Sequence, residues 1–169
     1  MARSDRLVAT LLEALRVLFT TDGENAPVGG ITGQPQLRAG DGVPALDNFD
    51  ECSLLFLNIT GRYRTTQFPQ QAIENAHCGT SFVLEVQIGV ARCSVALDYA
   101  GNLPDAATME AEFNAQEDDA DRLDRALCVT AREAQRNNII HDWAPQATEV
   151  VGPEGGTVAV VSKALFHLT

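Results

Sequence analysis

Histidine and cysteine are the residue types in this chain best suited to bind a metal, and there are three histidines and four cysteines. The histidines have no metalloenzyme spacing, and no two cysteines form a C-x-x-C pair. A zinc site built from His77, Cys78, Cys52 and Cys93 would lack the close ligand pairs that structural zinc sites favour. We therefore expect no metal ligand and no cofactor.

A hydrolase needs an activated nucleophile with a base beside it, and the sequence has no G-x-S-x-G turn. Ser94, His141 and Asp142 supply the residue types of a catalytic triad, but so do residues in most proteins of this size. The glycine cluster at residues 29–33 lacks the Gly-Lys-Ser/Thr ending of a phosphate-binding loop. We expect no catalytic residue, and hence a protein that is not an enzyme.

The charge balance excludes further classes of function. The 169 residues carry 12 Lys and Arg against 23 Asp and Glu, a net charge of −11. Nucleic acids and anionic membranes both bind basic patches, so this excess of acid disfavours either partner. No uncharged apolar run approaches the roughly 18 residues of a membrane span. We expect one domain, made and assembled in a cytoplasm.

The first 48 residues divide into a helix and a long irregular segment. Apolar residues recur at helical spacing from Leu7 to Leu18, which predicts a helix within residues 1–19 that is capped by Ser4. Residues 20–48 contain six glycines and three prolines. This composition predicts a long loop or arm that is either mobile or ordered by a partner.

Two apolar runs predict the central strands. Residues 52–60 form a β-rich run that we expect to be buried on much of both faces. Residues 80–90 alternate apolar with mixed side chains, and the alternation changes parity afterwards. That change predicts a β-bulge near Ala91 and Arg92, or a break into two strands. The partly basic passage at residues 62–64 is expected to be irregular.

A long stretch without Gly or Pro predicts one helix over residues 106–136, capped by Asp105 or Asn102. A kink or break is expected at residues 116–119, where three acids are consecutive. We expect the acids of this helix to lie in solvent, in the lumen of an assembly or facing an arginine-bearing partner, and Asp118→Ala to change thermal stability little. The residues expected to pack inward are Met109, Phe113, Leu123 and Leu127.

The end of the chain predicts a hairpin. Residues 148–151 and 157–168 flank the turn signal Gly152-Pro-Glu-Gly-Gly156, with His141, Asp142 and Trp143 expected to mark a helix end before them. Together, residues 1–169 predict a single α+β domain with a mostly antiparallel sheet. The N-terminal helix and one long central helix pack on that sheet, a Gly/Pro-rich loop follows the first helix, and residues 49–169 hold the sheet, the long helix and the C-terminal hairpin.

The chain contains two sequence motifs, Phe82-x-Leu-Glu-Val-x-Ile-Gly-Val-x-Arg-Cys93 and Gly152-Pro-Glu-Gly-Gly156. With the opening helix, the strand at residues 52–60, the long helix and the closing Trp143 and strand, they extend over nearly all of the chain. The whole resembles the neck and tail-joining proteins of long-tailed bacteriophages, especially the tail terminator (tail completion) proteins of actinobacterial phages.

The resemblance implies a structural virion protein that forms a ring, hexameric in the family, at the head-proximal end of the tail. Such a ring stops growth of the tail tube and joins the tail to the head. Its partners are further copies of itself, the tail-tube protein and a neck or head-completion protein, and DNA only passes through the lumen. The alternatives are another neck protein, such as a head-completion, stopper or adaptor protein, or a small cytoplasmic enzyme or ligand-binding protein.

A ring subunit needs lateral contacts, and residues 20–48 are the natural arm for them. We therefore expect deletion of residues 29–42 to leave the monomer folded but to abolish ring formation or tail joining. Trp143 with Arg62 and Arg64 is the region that a ligand-binding protein would use as its pocket. The candidate interface residues are Gly29, Gly30, Gly33, Arg38, Arg62, Arg64 and Trp143.

The four cysteines allow three full pairings, which the sequence does not rank, and buried thiols are the ordinary state in a reducing cytoplasm. A chain that leaves the cytoplasm inside a particle can form a disulfide among Cys52, Cys78 and Cys93. Cys78 with Cys93 is the candidate pair.

Overall fold

The computed structural model describes residues 2–19, 25–31, 33–38, 40, 52–72, 81–94, 102–154 and 156–169, without the side chains of residues 153 and 154. Its helices are α1 (Arg3–Leu18) and α2 (Ala106–Arg136). Its strands are β1 (Gln36–Arg38), β2 (Ser53–Thr65), β3 (Ser81–Cys93), β4 (Ile140–Pro145), β5 (Glu149–Glu154) and β6 (Thr157–Leu168).

The strands form one sheet in the order β1-β2-β3-β6-β4, and β5 pairs with the part of β6 that β4 leaves free. Among the described strands, only the pairing of β1 with β2 is parallel. Both helices share one buried apolar cluster with one face of the sheet. The predicted α+β fold is confirmed, and no helix of the described residues is both long and apolar enough to cross a membrane.

Strand β2 is buried on both faces over its first half, as the sequence predicts. Leu55 and Leu57 face the helices, whereas Leu54 and Phe56 belong to a separate buried cluster on the opposite face. The expected irregular passage at residues 62–64 is wrong, because β2 continues through it to Thr65. A register shift between Ile59 and Gly61 absorbs one residue, so the strand stays paired with β3.

Strand β3 runs unbroken through Ala91 and Arg92 to Cys93, so the bulge expected there is wrong. Its centre is held close to both neighbours by Gly89. A Cβ at Gly89 would lie 2.5 Å from Cζ of Phe56 and 2.8 Å from the carbonyl oxygen of Val160. The glycine is therefore required by the close approach of an aromatic ring and a backbone carbonyl.

We predict that Gly89→Ala destabilises the fold by about 1–3 kcal/mol, because the new methyl group overpacks a closed site. Urea unfolding of the purified protein measures this. In a Phe56→Leu background, which lacks the ring atoms that the methyl group meets, the same Gly89→Ala change should cost less free energy of unfolding than it does in the parent chain. Equal stability of Gly89→Ala and the parent chain would contradict the packing described here.

Helix α1 buries the predicted apolar face, with Leu7, Leu11 and Leu15 completely enclosed. It packs mainly on α2. Its N-cap is Ala2 rather than Ser4, and the Asp5 carboxylate accepts a hydrogen bond from the Ala2 backbone N–H at 3.1 Å. The carboxylate at the third helical position thus forms one half of a capping box, while the N-cap alanine offers no side-chain acceptor to the first turn.

Helix α2 is continuous over 31 residues, so the kink expected at residues 116–119 is wrong. The Asp105 side chain caps it by accepting a 2.7 Å hydrogen bond from the Thr108 N–H. Leu123 and Leu127 are buried as expected, but Met109 and Phe113 are exposed. These last two were expected inside, and they lie outside because α2 extends beyond the end of the sheet.

The segment after α2 is a strand, not the helix end expected for His141, Asp142 and Trp143. It forms β4 because its residues pair with the last five residues of β6. The predicted C-terminal hairpin of β5 and β6 is confirmed, although the strands extend further into the turn signal than expected.

Candidate functional site

Two arginines fix residues 25–31, the start of the predicted arm, to the body of the protein. The first is Arg92, near the end of β3. Its guanidinium donates to both carboxylate oxygens of Asp119 at 2.6 and 2.8 Å. It also donates to the backbone carbonyls of Gly30 at 2.6 Å and Val28 at 3.0 Å. One side chain therefore joins the sheet, α2 and the arm.

The second arginine is Arg122 on α2, which donates to the backbone carbonyls of Leu18, Asn25 and Ala26 at 2.6 to 3.1 Å. It also forms an ion pair with Asp118 at 2.7 Å. The Asp118 carboxylate in turn accepts the backbone N–H of Val28 at 2.8 Å. We call Arg92, Asp119, Arg122 and Asp118 the arginine clamp.

The pKa values of the two clamp carboxylates are shifted in opposite directions. Burial raises the pKa of Asp118, but hydrogen bonds from Arg122 and the Val28 N–H outweigh it, and the net pKa is lowered. Asp119 is completely buried, and burial raises its pKa even though the Arg92 guanidinium acts to lower it. The expectation that these acids lie in solvent is wrong for Asp119, which is buried. Asp118 pairs with Arg122 and accepts the Val28 N–H, so we now expect Asp118→Ala to loosen the arm.

The predicted arm is therefore part of the folded subunit over its described residues. Pro27 and Ile31 are buried, and Ile31 belongs to the main apolar cluster. β1 then adds an edge strand to the sheet beside β2. Deleting residues 29–42 would remove a core side chain and this strand, so we now expect the deletion to destabilise the monomer.

The candidate interface residues of the arm lie at its surface. Gly29 and Gly30 are exposed in the left-handed region, with φ of +73° and +68°, and a Cβ at Gly29 would lie 3.3 Å from Nη1 of Arg92. Gly33 is also exposed. Arg38 is half-buried in β1 and donates to the side chain of Gln36. Most of residues 39–51 lie outside the described part of the chain.

Arg62 and Arg64 flank the ring of Phe82, with each guanidinium carbon about 4.5 Å from the ring centroid (4.6 and 4.5 Å). This is the geometry of cation–π stacking. Trp143 is half-buried and stacks on Phe166 at 6.2 Å. It shares a row of the sheet with Arg62, but β3 and β6 separate them, a distance of about 14 Å at the usual strand spacing. At that separation Arg62 stacks on Phe82 and Trp143 stacks on Phe166, not on each other.

The cysteines pair differently from the expectation. Cys52 and Cys93 form a disulfide with a Cα–Cα distance of 4.9 Å, so the candidate pair of Cys78 and Cys93 is wrong. The physical reason is that β2 and β3 are antiparallel neighbours, and Cys52 and Cys93 lie at their adjoining ends. Cys78 lies outside the described residues, and Cys128 is a half-buried free thiol on α2.

The residues of the nominal triad are not assembled. Ser94 follows the end of β3 that pairs with Thr157, whereas Asp142 pairs with His167, ten residues away along β6. That separation is about 33 Å at the rise of a strand. Within the described ranges, no three His, Cys, Asp or Glu side chains are grouped to hold a metal ion.

His167 lies in an aromatic stack near the end of β6. Its ring stacks on Phe68 at 5.3 Å and lies 5.3 Å from that of His141. Burial lowers the pKa of His167, His141 lowers it further, and Asp142 acts to raise it. The folded chain thus binds a proton at this imidazole less readily than the unfolded chain does.

From that shift we predict a pH-dependent stability. The contribution of His167 is fully present above its unfolded pKa near 6.5 and is lost as the pH falls through the lowered folded pKa. His167→Phe keeps a ring against Phe68 but cannot titrate. Urea unfolding at pH 7.5 and pH 5 should therefore show a smaller loss of stability on acidification for the variant. The same loss in both proteins would contradict the prediction.

The clamp was missed by sequence reasoning, although two signals for it exist. Arg92 interrupts a strand whose other residues are mostly apolar, and a buried charge of this kind requires a partner. Asp118 and Arg122 have the i,i+4 spacing of a helical ion pair. Neither signal identifies residues 25–31 as the segment that is held.

No family model matches the chain, and a search of curated proteins finds no matching sequence.

Proposed function

We propose that this protein is a structural virion protein that forms a ring at the head-proximal end of a phage tail, ends tail-tube growth and joins the tail to the head. The observation that carries the proposal is the arm, which is fixed to the body while two of its apolar side chains lie at the surface. Val28 and Leu37 are about half exposed, at 45% and 55%. The arm thus has the properties of a preformed surface for another protein.

The clamp explains why such an arm can bind without a large entropic cost. Five backbone carbonyls in and before the arm accept hydrogen bonds from two arginines whose carboxylate partners lie on α2. A segment held in this way is ordered before a partner arrives. The excess of acid adds a second argument, because a ring of chains with charge −11 repels the DNA that passes through its lumen.

The proposal is tested by light scattering with size exclusion, negative-stain microscopy and complementation of a phage that lacks the gene. We expect a ring that binds the end of isolated tail tubes. A chain that stays monomeric with and without tail tubes would overturn the proposal. A ring that binds filled heads in the absence of tails would instead identify a head-completion or stopper protein.

A matched pair of variants tests the arm. Leu37→Asp places a charge on the exposed side of β1, and Val17→Asp does the same on α1 at almost equal exposure, 55% against 57%. Both variants should melt like the parent chain. We expect Leu37→Asp to fail in complementation and Val17→Asp to succeed. If both variants gave infectious particles, the arm would not be part of the contact surface.

A further inference from the structure

The apolar stripe of α2 continues past the body of the protein. Met109 precedes Leu127 by eighteen residues, which is five full helical turns, and Phe113 precedes Ala131 by the same number. Each pair therefore points in the same direction from the helix axis. Leu127 and Ala131 are buried, whereas Met109 is 45% and Phe113 58% exposed.

This exposed part of the stripe lies at the far end of the molecule. Ser94, just after β3, donates to Glu112, so the first two turns of α2 project beyond the sheet. Leu103, just before the helix, is 75% exposed. We call Leu103, Met109 and Phe113 the amino face of α2. An exposed apolar stripe at the end of a helix is typical of a protein contact surface.

The amino face is surrounded by negative charge. Asp105, Glu110, Glu112 and Glu117 lie along the same turns, and the sequence has no Lys or Arg between Arg92 and Arg122. Both of those arginines are engaged by the clamp, so within this stretch of sequence no arginine or lysine offsets the acids. A second copy of the same end would be repelled, so the surface favours a partner with apolar and positively charged groups.

The opposite end of the molecule has those groups. Arg64 in β2 pairs with Phe82 in β3, and Phe82 pairs with Leu168 in β6. Leu168 pairs in turn with Ile140 just after α2, so this end of the sheet lies beside the end of α2. Helix α1 begins at the same end, because Arg122 binds the carbonyl of Leu18 at the end of α1 and the two helices run antiparallel from there. The arginines at this end are Arg3, Arg6, Arg62, Arg64, Arg132 and Arg136, and they outnumber the acids there, which are Asp5, Glu85, Glu133 and Asp142.

We propose that the amino face of α2 in one copy packs against the arginine end of the next copy. The two surfaces lie at opposite ends of a helix about 45 Å long and have opposite charge. Contacts between different surfaces of identical chains are head-to-tail, and they close into a ring when the rotation between copies allows it. The inference rests on the proposed ring and identifies its lateral interface.

The chemistry of the two surfaces is complementary in a second way. Arginine side chains present apolar stems as well as a planar cation, and guanidinium groups at this end already stack on the Phe82 ring. The arginine stems of the neighbouring copy can pack on the ring of Phe113 and the thioether of Met109. Glu110 and Glu117 then provide carboxylates at the edge of the contact for the guanidinium groups.

A mixing experiment tests the interface. Variant A, Met109→Asp/Phe113→Asp, blocks only the amino face, and variant B, Arg62→Glu/Arg136→Glu, blocks only the arginine end. We expect each to be a folded monomer of 18.2 kDa, and an equimolar mixture to form a dimer of twice that mass. The dimer forms because each pair retains one intact amino face and one intact arginine end. Light scattering and thermal melting measure mass and folding.

Val17→Asp/Val129→Asp is the control, because it places the same charges on exposed apolar positions between α1 and α2, and it should keep the mass of the parent chain. A mixture of A and B that stays monomeric, or a variant A that still forms the parent oligomer, would overturn this interface and leave the proposed ring intact. A parent chain that is monomeric, alone and with tail tubes, would overturn both.

Discussion

Replacing Arg92 by alanine is expected to destabilise the fold by about 3–5 kcal/mol, the usual cost of leaving one partner of a buried ion pair alone. The Arg92 side chain is 11% exposed and that of Asp119 is completely buried. Removal of the guanidinium leaves a buried carboxylate whose pKa burial already raises, and it also frees the carbonyls of Val28 and Gly30. Urea unfolding at neutral pH measures the loss.

Two controls separate the ion pair from the loss of an arginine as such. Arg125→Ala removes an exposed arginine of α2 and should change stability by less than about 0.5 kcal/mol. Arg92→Met/Asp119→Leu removes both charges and keeps apolar bulk, so it should be more stable than Arg92→Ala. If Arg92→Ala unfolds at the same urea concentration as the parent chain, the clamp does not hold the arm.

The second large effect is expected for Leu123→Ala, which should cost about 2–5 kcal/mol as a core truncation. Leu123 is completely buried in the cluster that α1, α2 and the sheet share. The alanine variant loses the transfer free energy of the removed atoms and leaves a cavity that the sheet cannot collapse to fill. Leu127→Ala should behave in the same way.

Val129→Ala provides the comparison, because Val129 lies on the same helix but is exposed. It should change the free energy of unfolding by less than about 0.5 kcal/mol. A neutral Leu123→Ala variant in a thermal melt would show that the helical register described here is wrong.

Sequence patterns predicted the element types well wherever one pattern dominates. The helical stripe containing Leu123 and Leu127, the doubly buried start of β2 and the C-terminal hairpin all follow from periodicity that packing reinforces. The stripe gave a wrong prediction of burial only at Met109 and Phe113, because periodicity gives the direction of a side chain but does not show where the neighbouring elements end.

The errors have a common physical origin in contacts between residues distant in sequence. The strand at Trp143 forms because β6, twenty-three residues later at Phe166, offers a free edge. The disulfide of Cys52 depends on the register of β2 with β3, and the clamp on Asp119 depends on where α2 crosses β3. Local propensity carries none of this information.

The arginine clamp also determines which described segment unfolds first. Residues 25–31 are held through groups on β3 and α2, at separations of 62 to 97 residues from the arginines that bind them. The arm can therefore detach while the sheet and helices stay folded, but the sheet and helices cannot come apart without releasing the arm. Backbone amides of the arm should accordingly exchange with solvent faster than those of β3. Among the described segments, the arm should therefore be the first to open and the last to close.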